Sequence, residues 1–251
     1  MKINKSSIKK SISLLKKDEC IGVPTETVYG LAANAYSNKA TSKIFKLKRR
    51  PTNNPLIVHY YKAEDLKKDC ETNELFFRLY KHFCPGPITF ILKLKKKSKI
   101  SKNVTNNKKT LAVRFPHHKL ARMLLKKIKY PLAAPSANIS ESISPVSKED
   151  VFDEFGKKIK FVLDGGRSKI GVESTIISLV NKIEILRLGG LDISMLEKKL
   201  KFNLRKNLYG KNKINSPGRK KVHYSPGIPI RLNARKIKKN EAFLLIRKKK
   251  N

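Results

Sequence analysis

The sequence predicts an α/β protein, a twisted mixed sheet with helices packed on it, and three observations predict it. Short apolar runs rich in β-branched and aromatic residues, such as Leu56 to Tyr60 and Ile88 to Leu94, alternate with segments whose apolar residues recur at helical spacing. Pro, Gly, Asn and Ser clusters punctuate the chain between these segments, and the connections are long. The 251 residues are 39% hydrophobic and show no internal repeat, enough for one full core with an appendage.

Taken in order, Ser6 or Ser7 can cap a first helix that places Ile8, Ile12 and Leu15 on one face. A strand around Cys20 to Val23 follows. Ser37 or Asn38 can cap a second helix with Ala40, Ile44 and Leu47 inward, ending near Lys48. After the strand at Leu56 to Tyr60, Thr72 opens a helix carrying Leu75, Phe76, Leu79 and Phe83, which Pro85-Gly86-Pro87 stops. Lys95 to Lys109 is polar and basic and reads as an exposed loop. Thr110 to Phe115 alternates as a strand that Pro116 ends, and the next helix presents Leu120, Met123, Leu124 and Ile128. Pro131 to Ala134 is a short strand, Ser147 to Gly156 a capped helix, and Phe161 to Asp164 a strand. A strand through Val180 turns at Asn181-Lys182 into Ile183 to Leu188, and Ser194 to Leu200 is a closing helix.

The formal charge is +39, and lysine supplies most of it, arginine giving 12 of the 58 basic residues. Cationic surfaces bind phosphate backbones by releasing counterions, so weak, unspecific RNA affinity is one expectation. The lysines are spread along nearly the whole chain, however, which also fits compositional drift. Cys20, Cys70 and Cys84 are widely spaced and form no Cys-x-x-Cys pair, which argues against a disulfide framework and a zinc site. No apolar run approaches a membrane span, and lysines interrupt the N-terminal segment where a signal peptide needs apolar residues, so a cytoplasmic location is expected.

The densest chemistry lies between Gly22 and His59. Thr25, Glu26 and Thr27 emerge where a strand ends, the place where open α/β sheets bind ligands. Lys48, Arg49 and Arg50 precede a turn marked by Pro51, Asn53, Asn54 and Pro55. Further on, strand ends deliver hydroxyls at Ser136, Ser174 and Thr175, cations at Arg114 and Arg187, and a carboxylate at Glu173. No Walker loop, Rossmann glycine fingerprint, His-Glu-x-x-His or nucleophile elbow is present. A site rich in cations and hydroxyls but poor in acid–base pairs suits phosphoryl or nucleotidyl transfer, where the protein positions reactants and neutralises developing charge.

Six motifs, in order across roughly residues 5 to 200, carry a resemblance: Gly22-Val23-Pro24-Thr25-Glu26-Thr27-Val28-Tyr29-Gly30-Leu31, Lys48-x-Arg50-Pro51-x-x-Asn54-Pro55-Leu56-Ile57-Val58-His59, Ala112-Val113-Arg114, Ala134-Pro135-Ser136-Ala137-Asn138, Gly171-Val172-Glu173-Ser174-Thr175 and Leu186-Arg187-x-Gly189-Gly190. Together they resemble the YrdC family of L-threonylcarbamoyladenylate synthases. The resemblance implies a YrdC-like twisted open mixed sheet flanked by helices. It also implies a nucleotidyltransferase that joins L-threonine, bicarbonate and ATP into threonylcarbamoyl-AMP with release of pyrophosphate. The product would pass to a tRNA threonylcarbamoyl transferase for t6A modification of tRNAs that read codons beginning with A. Carried over by position, Thr27, His59, Arg114, Ala134 and Ser174 would contact threonine, and Arg50, Asn54, Thr110, Ser136, Asn138, Ser144, Arg187 and Tyr224 would contact ATP. Lys48 and Arg50 would be catalytic, with Mg²⁺ held mainly by the ATP phosphates and no metal site built from protein ligands.

The same resemblance divides the chain into a catalytic domain (1–202), a linker that folds over the active site (203–230), and a basic remnant of a C-terminal domain (231–251). Ser216-Pro217-Gly218 and His223-Tyr224-Ser225-Pro226 mark the linker, and a strand is expected at Phe243 to Ile246. Two departures stand out. Leu188 occupies the place of a usual proline and should loosen its turn, and the C-terminal domain of two-domain members is expected to be truncated. Two other readings stay open, a non-enzymatic protein that binds double-stranded RNA, and a carbamoyl-transfer module with another acceptor.

Overall fold

A computed structural model describes residues 5–206, 229–232, 234 and 236–242. The linker motifs from Ser216 to Gly227, Tyr224 among them, and the strand expected at Phe243 to Ile246 lie outside the described residues.

Among the described residues, nine strands form one mixed sheet: β1 (Ile21–Val23), β2 (Gly30–Asn34), β3 (Ile57–His59), β4 (Ile88–Lys93), β5 (Thr110–Arg114), β6 (Leu132–Ala133), β7 (Thr175–Ser178), β8 (Glu184–Arg187) and β9 (Arg205–Lys206). Their order across the sheet is β1-β2-β6-β3-β5-β4-β7-β8-β9. The pairs β3/β5, β4/β7 and β8/β9 are parallel, and the other neighbours are antiparallel. The expected mixed, open sheet with helices on it is therefore what the chain forms.

Strand alternation decides which face does what. Val58, Phe90, Val113, Ile177 and Ile185 point into the main core, where Phe76 meets Phe90 edge-on at 5.3 Å and Tyr80 meets Phe115 at 4.8 Å between ring centroids. Helices α2 (Asn38–Lys48) and α4 (Glu74–Phe83), with the short α3 (Ala63–Leu66) between them, bury Ala40, Ile44, Leu66, Phe76 and Leu79 in that same core. At the β1-β2-β6 end, α1 (Lys5–Lys16) and α6 (Lys119–Lys127) cover the other face with Ile8, Leu15, Leu120 and Leu124. Over the middle of the sheet that second face carries only a small cluster of Ile57, Ile91, Ala112, Ile176 and Leu186. His59 follows Ile57, and Arg114 follows Ala112, by two residues. Both side chains therefore stand on this thinly covered face.

Caps follow the local chemistry. Ser37 caps α2 by accepting from the Ala40 amide, and Asn73, one residue past the expected start, caps α4 by accepting from Phe76. Ser147 and Asp150 form a reciprocal capping box at the start of α7 (Lys148–Phe155). The first helix already includes Lys5, so Ser6 and Ser7 lie within it and do not cap it.

Four local expectations need correction. Between Lys95 and Lys109 the chain is not simply an exposed loop, because the short helix α5 (Lys102–Thr105) buries Val104, and Ile100 is buried beside it. Phe161 to Asp164 makes only one isolated bridge, Val162 with Gly22, because it crosses the first strand at a single point. Strand β2, which the expectation lacked, is hidden by small residues, Gly-Leu-Ala-Ala-Asn, of low strand propensity. The sheet runs past residue 202, since Arg205–Lys206 (β9) pairs with β8, and Leu204 just before it is buried.

Candidate active site

The uncovered face holds a cleft walled by Thr25, Tyr29, Gly30, Ile57, His59, Arg114, Ala134, Pro135, Ser136, Glu173, Ser174, Arg50 and Arg187 among others. Each wall is placed by a specific device. Beyond β1 the chain turns on the Thr25 hydroxyl, which donates to the Val28 carbonyl at 2.6 Å and accepts from the Thr27 and Val28 amides. The Thr27 hydroxyl is fully buried and lies 2.8 Å from that of Thr25, so Thr25, not Thr27, forms the wall. This turn swings Glu26 onto Arg114, whose Nη2 donates to Glu26 Oε1 at 2.8 Å, while Glu26 Oε2 accepts from the His117 amide at 2.9 Å. Burial opposes the Glu26 charge, but the Arg114 guanidinium and the backbone amide outweigh it and hold the carboxyl at about 2. Arg114 Nε is buried with no partner among the described residues, a donor left over at the cleft.

His59 sits beside this pair and is neutral. Burial, with the adjacent Arg114 cation, pushes its pKa down to about 3.

The opposite wall is organised by the Lys48-x-Arg50 segment. Arg49 closes α2 in the left-handed conformation at φ 48°. Arg50 Nε then donates to the Asn54 carbonyl at 3.0 Å and Nη2 to the Pro55 carbonyl at 2.9 Å, which fixes the guanidinium plane. Burial and the nearby Arg187 cation lower the Arg50 pKa to about 9. Arg187 Nε and Nη2 donate to the Ser174 carbonyl at 3.1 and 2.9 Å, and Ser174 shares a hydroxyl contact of 2.7 Å with Thr89. Gly189 is required here, because a Cβ would lie 2.3 Å from the Glu173 carbonyl oxygen. The turn is thus held firmly despite an exposed Leu188, with the Gly190 amide donating to that same carbonyl at 2.8 Å. Glu173 accepts a 2.5 Å hydrogen bond from the Ser144 hydroxyl.

Lys48 occupies a different place from the one its motif suggests. It is fully buried behind the cleft, and Nζ donates to the Ser136 carbonyl at 2.6 Å, to the Asn138 carbonyl, and to Asn138 Oδ1 at 3.4 Å. Burial and the Arg50 charge push its pKa well below the ordinary lysine value. Three oxygens nevertheless surround Nζ, and an ammonium has the three N–H donors to meet them. Lys48 therefore staples the 135–138 loop to the end of α2, and Asn138 completes the staple by donating to the Ile139 and Ser142 carbonyls at 2.7 and 2.8 Å. Replacing Lys48 by Met is expected to lower stability by about 3 kcal/mol, since buried carbonyls lose their donor. Urea unfolding measures it, and an unchanged midpoint would contradict the staple.

The structure brings together Arg50, His59, Arg114, Ala134, Ser136, Ser174 and Arg187. Asn54, Asn138 and Ser144 are buried just behind the wall, and the Asn54 side-chain oxygen has no partner among the described residues. Thr110 shares the face of Arg114 but lies four residues upstream, roughly 13 Å along the strand, and outside the wall. Ile57 and Tyr29 in the wall were missed as site residues. The signal for Ile57 is its two-residue spacing from His59; Tyr29 has none beyond its motif.

A family model described as Sua5_yciO_yrdC, Telomere recombination, matches residues 13–189. Threonylcarbamoyl-AMP synthase of Pyrococcus abyssi (strain GE5 / Orsay) is 38% identical over 234 residues, 91% of this chain and 68% of that protein. The Bacillus subtilis (strain 168) protein of the same name is 40% identical over 233 residues, 90% of this chain and 66% of its own. The crystal structure of Pyrococcus abyssi Sua5 complexed with L-threonine superposes with a TM-score of 0.84 at 38% identity, covering 90% of this chain and 67% of that one. The chain thus spans about two thirds of the length of these relatives.

Proposed function

The chain belongs to the Sua5/YciO/YrdC family, and on that premise we propose that it is an L-threonylcarbamoyladenylate synthase. The observation that carries the reading is the convergence of three guanidiniums, Arg50, Arg114 and Arg187, with neutral His59 on one cleft whose lining, among the described residues, has Glu173 as its carboxylate. Such a cleft suits two anions at once, an amino-acid carboxylate and a triphosphate.

In the proposed reaction the threonine nitrogen attacks the carbon of bicarbonate, water leaves, and N-carboxythreonine forms. A carboxylate oxygen of that carbamate attacks the α-phosphorus of ATP. The bond from the α-phosphorus to the bridging oxygen breaks, and pyrophosphate departs with the electron pair. Arg114, locked by Glu26, orients the threonine carboxylate against Thr25 and His59. Arg50 and Arg187 receive the phosphates, and Lys48 acts indirectly by holding the Ser136 loop against them. The adenylate product is an activated carbamoyl donor, suited to a tRNA threonylcarbamoyl transferase acting in t6A synthesis.

The residues present fit Mg²⁺ bound chiefly through phosphate oxygens. Among the described residues, no group of three or more His, Cys, Asp or Glu side chains could hold the ion, and Glu173 is the carboxylate in the cleft lining. When bound, Mg²⁺ neutralises charge on the phosphates. No helix among the described residues is long and apolar enough to cross a membrane, and a cytoplasmic location accords with the proposed substrates.

Pyrophosphate release from ATP tests the reading. Release is expected only when L-threonine and bicarbonate are both supplied, and release that ignores either one would overturn it.

A further inference from the structure

A threonine ammonium must lose a proton before its nitrogen can attack bicarbonate, so the proposed reaction needs a proton acceptor in the cleft. Among the described residues, six titratable side chains line it: Tyr29, Arg50, His59, Arg114, Glu173 and Arg187. Five of these are unsuited. The three guanidiniums offer donors and no acceptor. The Tyr29 hydroxyl is committed to backbone, donating to the Gly166 carbonyl at 2.8 Å and accepting from the Gly165 amide at 3.0 Å. His59 is neutral, but a proton there would set a second buried cation beside Arg114. Glu173 differs in sign, because a proton removes charge from its buried carboxyl.

Two further groups stand outside the lining, and both are occupied. Lys48 Nζ donates to three oxygens. Glu26 gives one carboxylate oxygen to Arg114 and the other to the His117 amide.

Glu173 is held in position. The Ser144 hydroxyl donates to its Oε1 at 2.5 Å, and the Gly190 amide donates to its backbone carbonyl at 2.8 Å. It precedes β7, and β7 and β5 flank β4, so it enters the cleft two strands, or roughly 10 Å across the sheet, from Arg114. Between them lie the Ser174 and Thr89 hydroxyls, 2.7 Å apart, and Thr89 is the register partner of Arg114. An amino acid whose carboxylate rests on Arg114 directs its ammonium away from that cation. The charged groups around Glu173 are Lys48 at the end of α2, Arg50 beyond it, Arg114 on β5 and Arg187 on β8, with neutral His59 on β3. Cations on these sides disfavour an ammonium placed among them and so favour the neutral, nucleophilic amine.

We propose that Glu173 is the general base of the carboxylation step, an inference that rests on the synthase reading. Its carboxylate takes a proton from the threonine ammonium as that N–H bond breaks, and the electron pair stays on nitrogen. The amine attacks the bicarbonate carbon, and a second nitrogen proton goes to the departing hydroxyl, which leaves as water. Glu173 then releases its proton to solvent. The later attack on ATP moves no proton, because the carbamate is already an anion.

The test separates the two steps with Glu173→Gln, which keeps an oxygen for the Ser144 hydroxyl. In the reverse direction, synthetic threonylcarbamoyl-AMP and pyrophosphate give ATP, read with luciferase, and no nitrogen proton moves. Glu173→Gln is expected to keep this rate within about threefold while losing about 10²- to 10³-fold in forward pyrophosphate release at pH 7. The ratio of variant to parent forward rate, at fixed bicarbonate, should climb up to about tenfold per pH unit from pH 7 to 8.5, as threonine loses its proton in solution. ATP formation by the variant also shows that it is folded. Equal losses in the two directions would overturn the proposal, as would an unchanged forward rate or a forward loss of constant size across pH. A parent chain that makes no ATP from threonylcarbamoyl-AMP would overturn the synthase reading itself, and the base with it.

Discussion

Replacing Arg50 by Ala is expected to lower threonine- and bicarbonate-dependent pyrophosphate release by about 10²- to 10³-fold. The guanidinium is preorganised, with Nε and Nη2 fixed on the Asn54 and Pro55 carbonyls, so little reorganisation is needed when negative charge develops. Its lowered pKa reports the same field, because burial and Arg187 both disfavour the cation until an anion arrives. Arg50→Lys should recover little of the loss, since an ammonium cannot satisfy two backbone carbonyls and a phosphate in one plane. Steady-state pyrophosphate assays on folded variants measure this. A folded Arg50→Ala variant that keeps the parent rate would contradict this role.

The second large effect is on stability in acid. His59 has an ordinary value of 6.5 and a folded value of about 3. Below pH 6.5 the unfolded chain therefore binds a proton that the folded chain refuses, and stability present above that pH is lost as the pH falls toward 3. The full loss is on the order of 5 kcal/mol. Glu26 acts in the same direction over a lower window. Its folded value of about 2 lies below the ordinary 4.5, so its contribution of about 3 kcal/mol disappears between those values. Urea unfolding at a series of pH values should show stability declining from about pH 6.5 and more steeply below about 4.5. His59→Gln should flatten the upper part and Glu26→Gln the lower. Stability that is level from pH 7 to 5 in the parent chain would contradict the buried, neutral His59.

Much of this was legible in the sequence, for identifiable reasons. Helices α2, α4 and α6 carry strong apolar periodicity and clear stop signals, and strands β3, β4 and β5 are rich in β-branched residues, so their existence and order could be read directly. Strand β2 could not, because Gly30, Ala32 and Ala33 have little strand preference and are placed by pairing with β1 and β6. The site was legible as a set of residues but less so as a set of positions. Arg114 and His59 follow from two-residue alternation onto the open face. Lys48 shows the limit, since its place beside Arg50 suggests a phosphate ligand, while α2 turns it into the protein to meet the Ser136 and Asn138 carbonyls. Thr27 is similar, displaced from the wall by a turn that the Thr25 hydroxyl builds.

The most direct test of the central claim is mass spectrometry of the reaction with ATP, L-threonine and ¹³C-labelled bicarbonate. The account predicts an AMP adduct containing one threonine and one labelled carbon, appearing together with pyrophosphate and absent when threonine is omitted. An adduct without the label, or a labelled adduct formed without threonine, would contradict it.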